Sequence, residues 1–200
     1  MPRSRGGTQS APLAPQDILN AALRVVERSS LDRLTVKAVA DECGVTPPAI
    51  HYHLRREVDL ATRVVEAVAQ QITVPLDPDA PWQDQYIALV LAMDRTFLRY
   101  PGTGSRALTS SGESPAAAQL TDTALGILRT AGFTDREAGD IFAATYLLYV
   151  GWLSTRGQAE NNVIHPSLRA AGISTTGHDD AKPLVSGLHS IFAGHTPDHA

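Results

Sequence analysis

Apolar residues recur along this chain at three- and four-residue spacing, the pattern of helices that each bury one face. Ile18, Leu19, Ala22, Val25 and Val26 share such a face, with Pro15 at its start and Ser29 and Ser30 at its end. Leu31 and Leu34 bracket a short polar link. Val36, Val39, Ala40 and Cys43 then form a second, shorter stripe that leaves Lys37, Asp41 and Glu42 outside. Thr35 is placed to cap that helix and Gly44 to close it, because glycine takes up left-handed backbone at little cost. Thr46 is placed to cap the next helix, Pro47 sits where a missing N–H costs nothing, and Ile50 returns the chain to the buried side. Residues 35–54 therefore read as a helix-turn-helix, with Ala40 small enough for the close helix approach that so short a turn demands.

The rest of the chain repeats the helical period. RREVDLATRVVEAVAQQI continues as a connecting helix with Val58, Leu60, Ala61, Val64, Val65 and Val68 apolar, and VPLDPDAP, with three prolines, ends it. A helix is expected over 82–100, on Tyr86, Leu89, Val90, Met93, Phe97 and Leu98, with Pro101 and Gly102 as its stop. The polar run to about 115 reads as a loop with room for a helical turn within 105–111. Residues 116–131 form another expected helix, and Thr134 with Glu137 has the capping-box form ahead of the most apolar stretch, 141–153. A helix that apolar needs cover on more than one side, from its own domain or from a second subunit. Residues 157–180 read as irregular, and 180–193 as a final amphipathic helix carrying Leu184, Val185, Leu188, Ile191 and Phe192, long enough to pair with its symmetry mate. With no repeat and no convincing strand, the chain is expected to be all-α. Its parts are an arm over 1–14, a three-helix head over 15–60 and a helical body over 61–200.

Composition narrows the function classes. The chain has 200 residues, 43% hydrophobic and 19% charged, which suits a soluble globular fold rather than a rod or a disordered tail. Its one cysteine excludes an intrachain disulfide, and a buried, reduced thiol in a cytoplasmic setting is the expectation for Cys43. No run reaches the roughly 18 apolar residues of a membrane span. The net charge of −4 argues at first against nucleic acid, but its distribution is uneven: residues 1–60 hold eight Lys or Arg against seven acids, and residues 61–200 nine against fourteen. Residues 1–14 are either a solvated tail or an arm touching a DNA backbone through Arg3 and Arg5.

The second helix of the motif presents Pro47, Ala49, His51, Tyr52 and His53, none of them acidic. Imidazole and phenol groups donate to phosphates or base edges, and small apolar groups sit against a thymine methyl. Lacking Arg, Asn and Gln, the helix would read sequence through His51 or Tyr52, apolar contact and DNA shape. Thr35, Lys37 and Thr46 on the motif, with Arg55 and Arg56 after it, complete the candidate DNA contacts. Residues 18–60, and LTVKAVADECGVTPPAIHYHLRREVDL above all, resemble the DNA-binding domain of the TetR family of transcriptional regulators. Leu34-Thr35-Val36, Ala38-Val39-Ala40, Gly44-Val45-Thr46, Ile50 and His53 fall in that family's order. Two positions depart from it. Ile50-His51-Tyr52-His53-Leu54 stands where the family usually has Leu-Tyr-x-His-Phe, and Glu57 stands where a phosphate-binding lysine usually begins the fourth helix.

The resemblance implies a homodimer on a pseudo-palindromic double-stranded DNA operator, a repressor by preference, and a small-molecule effector, apolar or aromatic, held somewhere in the body. Trp82, Tyr86, Met93, Phe97, Phe142, Tyr146, Tyr149 and Trp152 are the candidates for that pocket's wall, against plain core packing. The alternative is a small-molecule-binding helical protein with weak or lost operator binding, supported by Glu57. No catalytic constellation is visible: the other histidines, His165, His178, His189, His195 and His199, are scattered, no metal-ligand spacing occurs, and no cofactor is expected.

Overall fold

The structure is a computed structural model that describes residues 13–54, 59–109, 114–159, 166–170 and 181–197. Helix α1 (Pro15–Arg28) opens with Pro15 in its first turn and buries Ile18, Ala21, Ala22, Val25 and Val26. A 3-10 turn over Leu31–Arg33 leads into α2 (Val36–Cys43), whose first turn is capped by Thr35: its Oγ1 accepts from the Ala38 N–H at 3.1 Å. Gly44 closes α2 at φ 67° and ψ 30°, and the Val45 N–H donates back to the Ala40 carbonyl at 3.0 Å. Helix α3 (Pro47–Leu54) follows at once, and α1, α2 and α3 pack as one unit around fully buried Val39, Ala40 and Ile50.

Helix α4 (Leu60–Ala69) joins this unit to the rest, packing against α1 on one side and against α5 (Trp82–Arg99), α6 (Thr103–Thr109) and α7 (Pro115–Thr130) on the other. Helix α8 (Asp135–Ala159) packs on α6 and α7, α9 (Pro166–Ala170) is a short piece, and α10 (Lys182–Phe192) lies on α8 and α5. Among the described residues there is no strand, and no helix is long and apolar enough to cross a membrane.

Several local rules operate as the sequence implied. The Thr134 N–H donates to Glu137 Oε2 at 2.8 Å and the Glu137 N–H to Thr134 Oγ1 at 3.3 Å, a reciprocal cap at the start of α8. Three expectations are corrected. The polar run after Gly102 is not a loop, because Thr103–Thr109 is helical. A Cβ on Gly104 would lie 2.9 Å from the Phe97 ring and 3.0 Å from Leu153, so tertiary packing of α6 against α5 and α8 overrides its weak helix propensity. The region 157–180 is not wholly irregular, since α8 extends to Ala159 and α9 lies within it. Cys43 is half-buried rather than sealed, and burial pushes its thiol above the ordinary range, which keeps it protonated. The proposed arm at 1–14, with Arg3 and Arg5, lies outside the described residues apart from its last two positions.

Besides the packing of α4 on α1, head and body meet at a small joint. The Leu31 N–H donates to the Pro101 carbonyl at 2.8 Å, Gly102 turns there at φ 83°, and a Cβ on Gly102 would stand 3.2 Å from that of Leu31. Beside it Arg99 Nε reaches Glu27 Oε1 at 2.8 Å, which ties the end of α5 to the end of α1.

Two outcomes follow for the head. Gly44→Ala meets open space but forces an L side chain into left-handed backbone, so it should lower stability by about 1 kcal/mol in urea titration. Glu42 accepts from Arg24 Nε at 2.6 Å and from Arg28, and these guanidiniums hold its carboxyl below the ordinary 4.5. A carboxyl depressed on folding stabilises the native state above its unfolded value and loses that contribution as pH falls. The stability gap between wild type and Glu42→Gln should therefore be widest above pH 4.5 and close below it; a gap independent of pH would contradict the pairing.

Candidate nucleic-acid interface and ligand cavity

The exposed side of α3 is the first candidate surface. Ile50 anchors the helix in the head, and the opposite side shows Pro47, Pro48, His51 and Tyr52 to solvent, with Tyr52 74% exposed. Ala49 and His53 are half-buried, and the Tyr52 and His53 rings meet edge to face at 5.5 Å. Thr35 and Lys37 at the start of α2 and Thr46 before α3 are exposed as well. Arg55 and Arg56, together with Glu57, lie outside the described residues. Electrostatics decide which cations serve this surface: Arg24 and Arg28 are taken up by Glu42 inside the head, whereas Lys37 projects from the first turn of α2.

The second site is a cavity of about 610 Å³ bounded by α1, α4, α5, α6, α7 and α8. Six of the eight proposed aromatic and Met positions meet there: Tyr86, Met93 and Phe97 from α5, and Phe142, Tyr146 and Tyr149 from α8. Their hydroxyls help to shape the wall. Tyr86 Oη and Thr145 Oγ1 share a hydrogen bond of 2.7 Å, and Tyr146 Oη donates to the Leu108 carbonyl at 2.5 Å, fixing α6 against α8. Burial pushes the Tyr86 phenol up to about 12, so it stays neutral, and the Thr145 hydrogen bond offsets part of that shift.

The two tryptophans stand elsewhere. Trp82 packs edge to face on Phe133 at 5.1 Å and on Phe192 at 4.8 Å, closing the end of the body where α5, α10 and the α7–α8 turn meet. Trp152 donates its Nε1–H to Asp94 Oδ1 at 2.9 Å, which gives the buried Asp94 carboxylate a partner inside the bundle. Both are structural in this fold. What the aromatic pattern missed is the polar part of the wall, Thr62, Arg63, Glu66 and Gln70 on α4 with Ser114 and Thr121 on or beside α7. Helical spacing marks those α4 residues as the solvent side, and only the packing of α5 to α8 around them turns that side inward.

An exposed helix-turn-helix and a ligand-sized, mainly apolar cavity thus lie on either side of one shared helix, α4. Known proteins share this arrangement in part. Residues 18–55 match the family model described as bacterial regulatory proteins, tetR family. An HTH-type transcriptional regulator of Saccharopolyspora erythraea is 25% identical over 138 residues, covering 68% of this chain and 57% of that relative; the chain thus spans just over half of that relative's length. The class A tetracycline repressor protein from transposon 1721 of Escherichia coli is 26% identical over 174 residues, 80% of this chain and 79% of its own. Among solved structures, a possible TetR family transcriptional regulator from Streptomyces coelicolor matches at TM-score 0.71 and 22% identity over 90% of this chain and 97% of its own. TetR-Q116A from Acinetobacter baumannii in complex with minocycline matches at 0.67 and 21%, over 91% and 96%. BioQ with its double-stranded DNA operator matches at 0.61 and 20%, over 89% and 99%. Residues 18–55 thus match the tetR-family model, and the chain as a whole shares the fold of these TetR structures.

Proposed function

We propose that the chain is a ligand-responsive transcriptional regulator, a repressor, which binds a pseudo-palindromic operator as a homodimer and leaves it when a small apolar or aromatic molecule fills the cavity. The observation that carries this reading is the sharing of α4. Its Leu60, Val64 and Val68 are buried in the core that also contains the head, and its Arg63, Glu66 and Gln70 face the cavity. An occupant that favours one position of α4 therefore favours one placement of the head, and can lower DNA affinity without touching DNA. Two heads entering successive major grooves must stand about 34–36 Å apart, so a small displacement of α4 matters.

In this reading 15–60 is the DNA-binding unit and 61–200 the ligand-binding and dimerising one, acting in the cytoplasm. Thr35, Lys37, Thr46, Pro47, Ala49, His51, Tyr52 and His53 are its DNA contacts, joined by Arg55 and Arg56. The dimer is supported by α8, where Leu147 is 70% exposed beside exposed Ala143 and Gly151, and by the packing of α10 along α8. Loss of operator binding is the second reading, favoured by Glu57 at a position where related heads carry a lysine.

Operator fragments selected from random DNA supply the test. Lys37→Ala should weaken binding and reduce the slope of log affinity against log salt by about one phosphate contact per subunit, and Tyr52→Ala should weaken binding with less change in slope. If no fragment is retained at low salt, the second reading stands. For assembly, sedimentation should give twice 21.3 kDa, and Leu147→Glu should shift it towards the single-chain mass; a wild-type monomer at micromolar concentration would remove α8 from the interface.

A further inference from the structure

Formal charge on the cavity wall is confined to one helix. Among the described lining residues only Arg63 and Glu66 carry it, three positions apart on α4, opposite an α5 and α8 wall of aromatic and aliphatic groups. Glu66 is half-buried and its carboxylate is already engaged. Ser114 Oγ donates to Oε2 at 2.5 Å, and the Ala116 N–H and Gln70 Nε2 each donate to Oε1 at 3.1 Å. Ser114 is also the cap of α7, its Oγ accepting from the Ala117 N–H at 3.0 Å. One carboxylate on α4 thus holds the first turn of α7, at a point where Ser114, Pro115 and Ala117 themselves line the cavity.

A carboxylate offers about four acceptor sites, so three donors leave room for one more. Of the other acceptors on the wall, the Leu108 carbonyl already takes the Tyr146 hydroxyl, and the rest are neutral. A charged hydrogen bond is also stronger than the neutral ones it would displace. We propose that Glu66 reads the occupant of the cavity: the effector is an apolar molecule bearing a donor head, a protonated amine or a hydroxyl, which draws the carboxylate from Ser114 and Ala116 and so releases α7 from α4. This rests on the cavity being the effector site, and it assigns both the chemical class of the effector and the bond through which it acts. An anionic head of the same size is disfavoured by the same carboxylate.

The full chain and Glu66→Gln are titrated calorimetrically with four matched probes: 2-methylnaphthalene, 2-naphthylmethanol, 2-naphthylmethylamine and 2-naphthoate. The amine should bind wild type at least tenfold tighter than 2-methylnaphthalene, the alcohol should fall between them, and the acid should bind most weakly. In Glu66→Gln the advantage of the amine over 2-methylnaphthalene should vanish. Hydrogen exchange at the Ala116 amide should accelerate in the amine complex and not in the 2-methylnaphthalene complex. Glu66→Asp, which keeps the charge but shortens the reach to α7, should retain the amine preference and show fast Ala116 exchange with no probe present. If 2-methylnaphthalene binds and the amine has no advantage, or keeps it in Glu66→Gln, the role of Glu66 is overturned and the cavity reading survives. If no probe binds, both fall together.

Discussion

One ten-residue helix must satisfy two neighbours at once. The apolar stripe of α4, Leu60, Val64 and Val68, is sealed in the core, and the side between those positions forms part of the cavity floor. A helix is close to rigid over this length, about 15 Å at 1.5 Å per residue, so its two faces cannot move independently. The wall of the cavity and the placement of α3 are linked through that rigidity. Polar links between the two parts, among the described residues, include the Leu31 to Pro101 hydrogen bond, the Arg99–Glu27 pair at the surface, and Arg106 to Asp59 at 3.2 Å ahead of α4. Exposed ion pairs of this kind contribute roughly 0–1 kcal/mol, so the continuous core that runs through both parts carries most of the coupling.

Positive charge is scarce in the head and is spent selectively. Arg24 and Arg28 converge on Glu42 and join α1 to α2. The exposed surface of α3 carries no lysine, arginine or acid, and has phenol and imidazole groups where stronger base readers would be guanidinium or amide. In the proposed reading, recognition depends on the fit of this surface to a groove more than on bidentate contacts, so it favours DNA whose shape already suits it.

The head was legible in the sequence because its determinants are local. A cap at Thr35, left-handed backbone at Gly44 and a buried Ile50 one turn into α3 are each written within four residues of where they act. The reciprocal cap of Thr134 and Glu137 is of the same kind. What was not legible is settled by residues far apart in the chain. Thr103–Thr109 has the composition of a loop and is helical because Gly104 lies flush against Phe97 and Leu153. Trp152 has the spacing of a pocket residue and serves instead as the donor to Asp94, 58 positions away. The α4 side chains have a solvent-facing period, and enclosure by later helices turns them into cavity wall.

A cavity of some 610 Å³ also bears on how long the chain lasts in a cell. Side chains that line a cavity have fewer protein neighbours than those of a close-packed interior, so such a fold sits nearer its unfolding threshold than a solid bundle of equal size. A molecule present at a hundred times its dissociation constant restores about 2.7 kcal/mol to the folded state. Because proteases act on the rare opened chain, a shift of that size changes abundance as well as conformation. In the proposed reading, the same molecule that loosens the grip on DNA lengthens the life of the protein it has released, so that a pool of intact subunits is ready when the molecule is gone.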